Sequence, residues 1–530
     1  MKKIIILAFL IGSAFLVSAQ LVLSTGSQIV VSTDSYLVVG SVVNTDGKID
    51  NSGTVKISGN IENNTSGLMA TTTVGTVIFN GSSAQEITGD ADASFYGTIK
   101  IDNSSGVSIK TSTGHSQTIN GTLDFDTGLL TLNEFDLTLI ADAVDADASM
   151  YVQTNSTGQL KRTVASSNIL FPVGNSTYNP VTLNNAGVSD TYGVIAVEGK
   201  PASFSGTTHI VNESWDVTET NADGSNLTIT TQWNSGDEAT FDRTRSSIGL
   251  TTDVGANVTW GSIGAASGAD PYTRSIAGIT SVGTFMVGDY FYAGIPIDIK
   301  VMLAAAWNDA NNNMDKTINS RIPLADPYTG VDVTVSSIPT DAVDWVKVEL
   351  RNSGNHATVT NTYAKFVDQD GQIIEEDGSN MKITGAVLGS YFVAVHHRNH
   401  LGVVSASTVE LASSPAVNFS NLQARAWQSG ASNAAMKEVE SGVFGLWDGN
   451  ANGDASIVYN GGSSDRVEIL DAVGGVTEMS TVISGVYSGN DVNMDGNIVY
   501  NGGSSDRVII LDNVGGVTEM STTLSANLPD

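Results

Sequence analysis

A chain of 530 residues with no cysteine cannot be a disulfide-stapled scaffold, so packed cores, long sheets or bound ions must hold roughly three or four domains together. Its 55 acidic and 24 basic side chains give a formal charge of −31. That charge repels phosphate, excludes electrostatic capture of nucleic acid or an anionic membrane, and favours divalent cations.

Val, Ile, Thr, Gly, Ser and Asn dominate, and long Leu/Ala/Glu/Lys windows are missing, which makes the expected fold class mainly β with many turns. The first 19 residues read as a secretory signal. Lys2 and Lys3 give a positive start, Ile4 to Val17 is apolar, and Val17-Ser18-Ala19 is a small-residue cleavage site before Gln20. The apolar run is shorter than the roughly 20 residues of a membrane span, and nothing later approaches that length. The expected location is therefore secreted, extracellular or on the cell surface of a Gram-negative bacterium, with cleavage after Ala19 and no membrane insertion. A cysteine-linked lipid anchor has no residue to use.

Residues 20–147 alternate apolar and polar positions in short runs (QIVVS, YLVVGSVV, GTVKISGNI, GTVIFNG, GTIKIDN) separated by Gly, Asn, Asp and Ser. Such runs suit a sandwich or a parallel β-solenoid. The G-T-[VI]-x-[IF] unit begins at Gly53, Gly75 and Gly97, an even spacing that favours a β-solenoid (parallel β-helix-like) whose stacked coils supply the core. This pattern resembles the solenoid segments of bacterial surface adhesins and hemagglutinin-like proteins. Residues 148–292 and 296–415 each carry alternating segments with Pro and Gly between them, such as NILFPVGNSTYNPVTL, NLTITTQW, VDWVKVELR and GSYFVAVHHRNHLGVVSA. They read as two β-sandwich modules, the second Ig-like. The stretch QLKRTVASSNILFPVGNSTYNPVTLNN also looks like a module of large secreted bacterial surface proteins.

Residues 416–530 differ in kind. IVYNGGSSDR occurs at 457–466 and at 498–507, and VGGVTEMST at 473–481 and 514–522. Each copy follows an oxygen-rich run with side-chain oxygens at alternate positions: Asn450, Asn452 and Asp454, then Asp491, Asn493 and Asp495 before Gly496. A hard cation takes six to eight oxygens from a chain curled in this way. After each run a Ser pair, a few apolar positions and a Gly pair predict a short helix. Loop then helix, twice, resembles type I dockerin repeats over 450–482 and 491–523. The resemblance implies Ca²⁺ as cofactor and adds the carbonyls of Ser456 and Asn497 and the acids Asp465 and Asp506 to the donor sets. These acids lie four residues later than the pattern places them, so each loop must bulge through NGG. Ala455 stands where glycine is expected and Asn450 where an acid is, so the second loop should bind more tightly; Asp448 is a further donor candidate for the first.

Candidates for catalysis are weaker. The cluster at His396, His397 and His400 lacks the further ligand that zinc would need, and VAVHHRNHLGVVSA resembles a structural segment found beside dockerin-like tails. A polysaccharide lyase needs basic groups, yet residues 20–160 hold no Arg and, as lysines, only Lys48, Lys56, Lys100 and Lys110. Asp124 and Asp126 share a strand face as a hydrolase pair would, though such pairs arise freely in an Asp-rich chain. The expected function is a non-enzymatic surface protein for adhesion or matrix assembly, contacting a glycan or a host or matrix surface. The alternative is a glycan-binding accessory of polysaccharide processing whose tail docks to a protein partner.

Overall fold

Period-2 runs of three to five residues are too short to bury a face alone, and in the N-terminal part they stack in parallel, coil on coil. The computed structural model describes residues 19–529 except 66, 202–203, 205–207, 253–257 and 412–414. All but the last residue of the expected leader therefore lies outside the described residues. The chain is mainly β and opens with a β-solenoid of about seven turns. One parallel sheet runs from Leu21–Leu23 through eight strands to Val173–Gly174, and a second runs from Tyr36–Val39 through six to Ala143–Val144. In the second sheet, register stacks Val55, Val77, Ile99 and Leu123 in one buried column and Ile57, Phe79, Ile101 and Phe125 in the next. The positions between them, Lys56, Ile78, Lys100 and Asp124, face outward, as the two-residue alternation of a strand requires. Buried amides satisfy the corners: Asn44 donates to Asn63 Oδ1 at 2.9 Å, and Gln85 donates to the Ile57 carbonyl at 2.9 Å.

The recurring glycines form a corner column. A Cβ on Gly75 would lie 2.3 Å from the Gly53 carbonyl oxygen, one on Gly97 would lie 2.2 Å from that of Gly75, and one on Gly121 would lie 1.8 Å from that of Gly97. The same contacts carry coil-to-coil hydrogen bonds, Thr76 N–H to Gly53 and Thr98 N–H to Gly75. Gly97→Ala should therefore lose about 3 kcal/mol, because it adds a clash to the strain of a positive φ. Gly106→Ala, also at positive φ but with its nearest atom at 3.4 Å, should lose about 1 kcal/mol. Urea unfolding of the two variants measures the difference, and equal losses would remove the close-packing explanation.

The solenoid does not end at a linker. Leu160–Val164 pairs parallel with Leu137–Leu139 on one side and antiparallel with Asp190–Glu198 on the other. From there the sheet continues antiparallel through Ile210–Glu219, Thr284–Asp289 and Ser246–Thr251. A five-stranded antiparallel sheet includes Val181–Asn185, Leu227–Trp233 and Tyr272–Ile279. Buried Trp215, Trp233, Tyr192 and Phe285 belong to the same continuous core as Leu23 and the other coil residues.

The chain divides into two compact units, 1–293 and 294–530. The second is built on an antiparallel sheet whose centre is the long hairpin of Ala342–Asn352 and Asn355–Asp368, flanked by Ser390–His397 and then His400–Val404. Trp345 packs on Phe366 with ring centroids 4.0 Å apart. The duplicated tail belongs to this unit. No helix among the described residues is long and apolar enough to cross a membrane.

Candidate metal loops

Each tail repeat is a loop, a short strand, a helix and a second short strand. The helices are Asp465–Ala472 and Asp506–Asn513. Both end where the Gly pair predicts. Gly475 N–H bonds the Leu470 carbonyl and Gly474 N–H that of Asp471, and Gly516 and Gly515 repeat the pattern on Leu511 and Asp512. Gly474 and Gly515 sit at φ of 106° and 104°, which closes a helix in a way β-carbon-bearing residues resist. Ser464 and Ser505 occupy the N-cap positions in extended conformation without capping bonds; their hydroxyls donate to the Gly461 and Gly502 carbonyls instead.

The repeats interlock. Ser456–Val458 of the first pairs with Thr523–Ser525 at the end of the second, and Asn497–Val499 of the second pairs with Val482–Ser484 at the end of the first. Their common core matches position for position: Ile457 with Ile498, Tyr459 with Tyr500, Ile469 with Ile510, Val473 with Val514. Arg466 lies over the Tyr459 ring and Arg507 over that of Tyr500, each at 5.0 Å.

The bulge through NGG returns each acid to the start of its loop. Asp465 Oδ1 accepts the N–H groups of Ala451 (2.7 Å) and Asn452 (3.3 Å), and its Oδ2 accepts that of Val458 (2.7 Å). Asp506 does the same for Val492, Asn493 and Val499 at 2.8, 3.3 and 2.8 Å. Both acids are fully buried. In the second loop Asp491 accepts the N–H of Asp495 at 3.1 Å and that of Gly496 at 2.9 Å, and Asp495 Oδ1 accepts that of Asn497 at 2.8 Å. Asn493 Oδ1 accepts the Asp495 N–H at 3.1 Å. In the first loop Asn452 Oδ1 accepts the Asp454 N–H (3.0 Å), and Asp454 Oδ1 accepts that of Ser456 (2.6 Å). The first loop takes its positive φ at Gly453, the second at Met494 and again at Gly496; Ala455 is the residue that deprives the first of that second bend. Asp448 is held elsewhere, by Lys437 at 2.8 Å and Asn513 at 2.9 Å.

Among the described residues no three His, Cys, Asp or Glu side chains converge as a ready metal cage. The donor sets here mix carboxylate, amide and backbone oxygens, and two observations fit them to a hard cation. Asn450, 3% exposed, has a buried Oδ1 with no hydrogen-bond partner, while its Nδ2 donates to the carbonyl of Asp454 in the same loop at 2.7 Å. In the second loop, burial pushes the Asp506 carboxyl up to about 7, and the charge of Asp491 adds to the rise. Burial likewise pushes Asp491 and Asp465 up to about 6. The N–H bonds these acids accept offset only part of what burial costs their charged forms, and a divalent ion would supply more.

Between the loops lies the histidine cluster. Its five residues form a tight hairpin: Ser390–His397 turns at Arg398-Asn399 into His400–Val404, and His397 faces His400 across it. The imidazole nitrogens of these two are committed. His397 Nε2 meets Asp344 Oδ2 at 3.0 Å, His397 Nδ1 meets His400 Nδ1 at 2.9 Å, and His400 Nε2 accepts the Ala305 N–H at 3.3 Å. That chain of donors requires both rings neutral, in agreement with burial holding His397 below its usual range and His400 well below it. His396 points to the other face and meets Glu349 at 3.0 Å. Fully buried Asp344 also takes Arg398 Nε at 3.0 Å and the Tyr487 hydroxyl at 2.7 Å. Asp344 and Tyr487 escape a reading of the sequence because they lie 53 residues before His397 and 90 after it, with no shared motif. The Asp124 and Asp126 pair is tied to Lys100 at 3.3 and 3.6 Å on the solenoid's outer face.

Compared with known protein families, curated proteins and solved structures, the chain matches none.

Proposed function

We propose that this chain is a non-enzymatic, exported, modular surface protein of adhesion or surface-matrix assembly. The solenoid serves as stalk or contact surface, two β-sandwich modules follow, and a dockerin-like tail is stabilised by Ca²⁺. The observation that carries the calcium reading is the doubled, oxygen-rich loop with its returned acid, together with the unpartnered buried Oδ1 of Asn450. Asp491, Asn493, Asp495, the Asn497 carbonyl and Asp506 would hold one ion; Asn450, Asn452, Asp454, the Ser456 carbonyl and Asp465 would hold the other. Bound calcium would neutralise buried carboxylates and fix each loop against its helix. Three acids against two favour tighter binding in the second loop.

One feature supports the reading of a glycan-binding accessory. A surface cleft of about 560 Å³ is lined by Trp447, Phe444, Met436, Gln423 and Asn513. Aromatic faces beside amide groups suit the C–H faces and hydroxyls of a sugar.

Calorimetric titration of the chelator-treated chain with Ca²⁺ tests the proposal, run beside a glycan array with and without the ion. Two calcium sites are expected, the tighter one lost in Asp495→Ala, with calcium-dependent retention on the array and no glycan turnover. Absence of binding heat ends the calcium reading; release of sugar products ends the non-enzymatic one.

A further inference from the structure

The Arg398-Asn399 turn touches the first residue of both loops. The Asn399 carbonyl accepts the N–H of Asn450, which opens the first loop, at 3.1 Å. The Asn399 side-chain Nδ2 donates to the carbonyl of Asp491, which opens the second, at 2.6 Å. Arg398 adds a guanidinium N–H to the Ser488 carbonyl, just ahead of the second loop, and lies 4.5 Å over the Tyr487 ring. Asn399 is fully buried, and its Oδ1 is held at 2.7 Å from His400 Nδ1, so its amide cannot rotate without losing its bonds to His400 and to the Asp491 carbonyl. Leu401, the next residue but one, packs into the shared core of the repeats.

We propose that Asn399 is a positioning residue coupling the two loops, so that calcium in one raises the affinity of the other. This rests on the calcium reading of the loops. The first position of such a loop must settle when an ion binds, because its side chain is a donor and its backbone starts the curl. Both first positions hang from one rigid side chain and its own carbonyl. Ordering by the first ion therefore fixes the anchor that the second loop would otherwise have to order for itself, which is positive coupling without any direct contact between ions. The same anchor leads through His400, His397 and Asp344 into the sheet, so occupancy is felt there too.

The experiment is calcium titration of the full chain by calorimetry, with amide hydrogen exchange read at 448–452 and 488–493. In the wild type the second stepwise affinity should exceed by at least about fivefold that of two independent sites with the separate affinities measured in the single-loop variants Asp465→Asn and Asp506→Asn, and Asn399→Ala should return it to that expectation while both sites still bind. A second variant leaves the anchor intact: Asp506→Asn disables the second loop, and the untouched first loop should then bind at least about fivefold more weakly than in the wild type, with faster exchange at 448–452. Cooperativity retained in Asn399→Ala, or an unchanged first-loop affinity in Asp506→Asn, overturns the coupling. A wild type that binds no calcium overturns the reading beneath it, and one that binds two ions independently overturns the coupling alone.

Discussion

Stripping the intact chain with EDTA should lower the melting transition of the unit formed by 294–530, and millimolar Ca²⁺ should restore it. At a hundredfold excess over Kd a ligand that binds only the folded state contributes about 2.7 kcal/mol per site, and two sites double the effect. The pH dependence should reverse between the two conditions. Asp465, Asp491 and Asp506 have folded values of about 6, 6 and 7 against 3.8 for the free side chain. Folding therefore favours their protonated forms, and the stability this contributes is present below about pH 4 and lost as pH rises through 6 to 7. The ion-free unit should thus weaken between about pH 4 and 7. With calcium present, the ion displaces those protons and its grip strengthens over the same range. The gap between the EDTA and Ca²⁺ midpoints, measured by differential scanning calorimetry, should widen as pH rises. A gap of zero at every pH would sink the proposal that these loops hold ions.

The second large effect is expected at Asp344. Burial opposes its ionisation, yet the Arg398 charge and the His397 N–H hold its pKa down to about 2. Asp344→Asn keeps a side chain of similar shape but leaves Arg398, itself buried, facing a neutral group. Removing one partner of a buried pair costs about 3–5 kcal/mol, and urea unfolding of the second unit reads the loss. Tyr487→Phe, which removes a single hydroxyl from the same carboxylate, should cost about 1–2 kcal/mol. The folded value lies below that of the free side chain, so the Asp344 contribution is present above about pH 4 and disappears as pH falls towards 2. The wild type should therefore lose stability in strong acid more steeply than Asp344→Asn. Parallel acid profiles would show that the carboxylate is not ionised in the folded state.

How much of this could be read from the chain depends on the range of the interactions. The solenoid was legible because its rule is local. A strand must alternate, a coil must repeat, and Gly53, Gly75 and Gly97 recur at the spacing where one coil's carbonyl leaves the next no room for a Cβ. The change from parallel to antiparallel pairing at Leu160–Val164 was not legible, since a half-buried strand alternates in the same way beside either neighbour. The tail helices and the bend at Gly496 follow from the duplicated motif and from glycine. Asp465 and Asp506 could be chosen only through a family resemblance, and their return to the loop depends on the NGG bulge. The hairpin at Arg398-Asn399 carried one weak signal, an Asn between two apolar alternating runs. Its role depends on Asp344, Asn450 and Asp491, which adjoin it only after folding.

The pairing of the tail strands has a consequence for how the module could have arisen. Each repeat lends its last strand to the other, Val482–Ser484 to one and Thr523–Ser525 to its twin. A solitary repeat would thus present two unsatisfied edges, and a second identical peptide, turned by half a revolution, would satisfy both. The fused pair preserves in one polypeptide the geometry of a symmetric dimer, and trimming the chain back past Thr523 would undo the exchange from its far end.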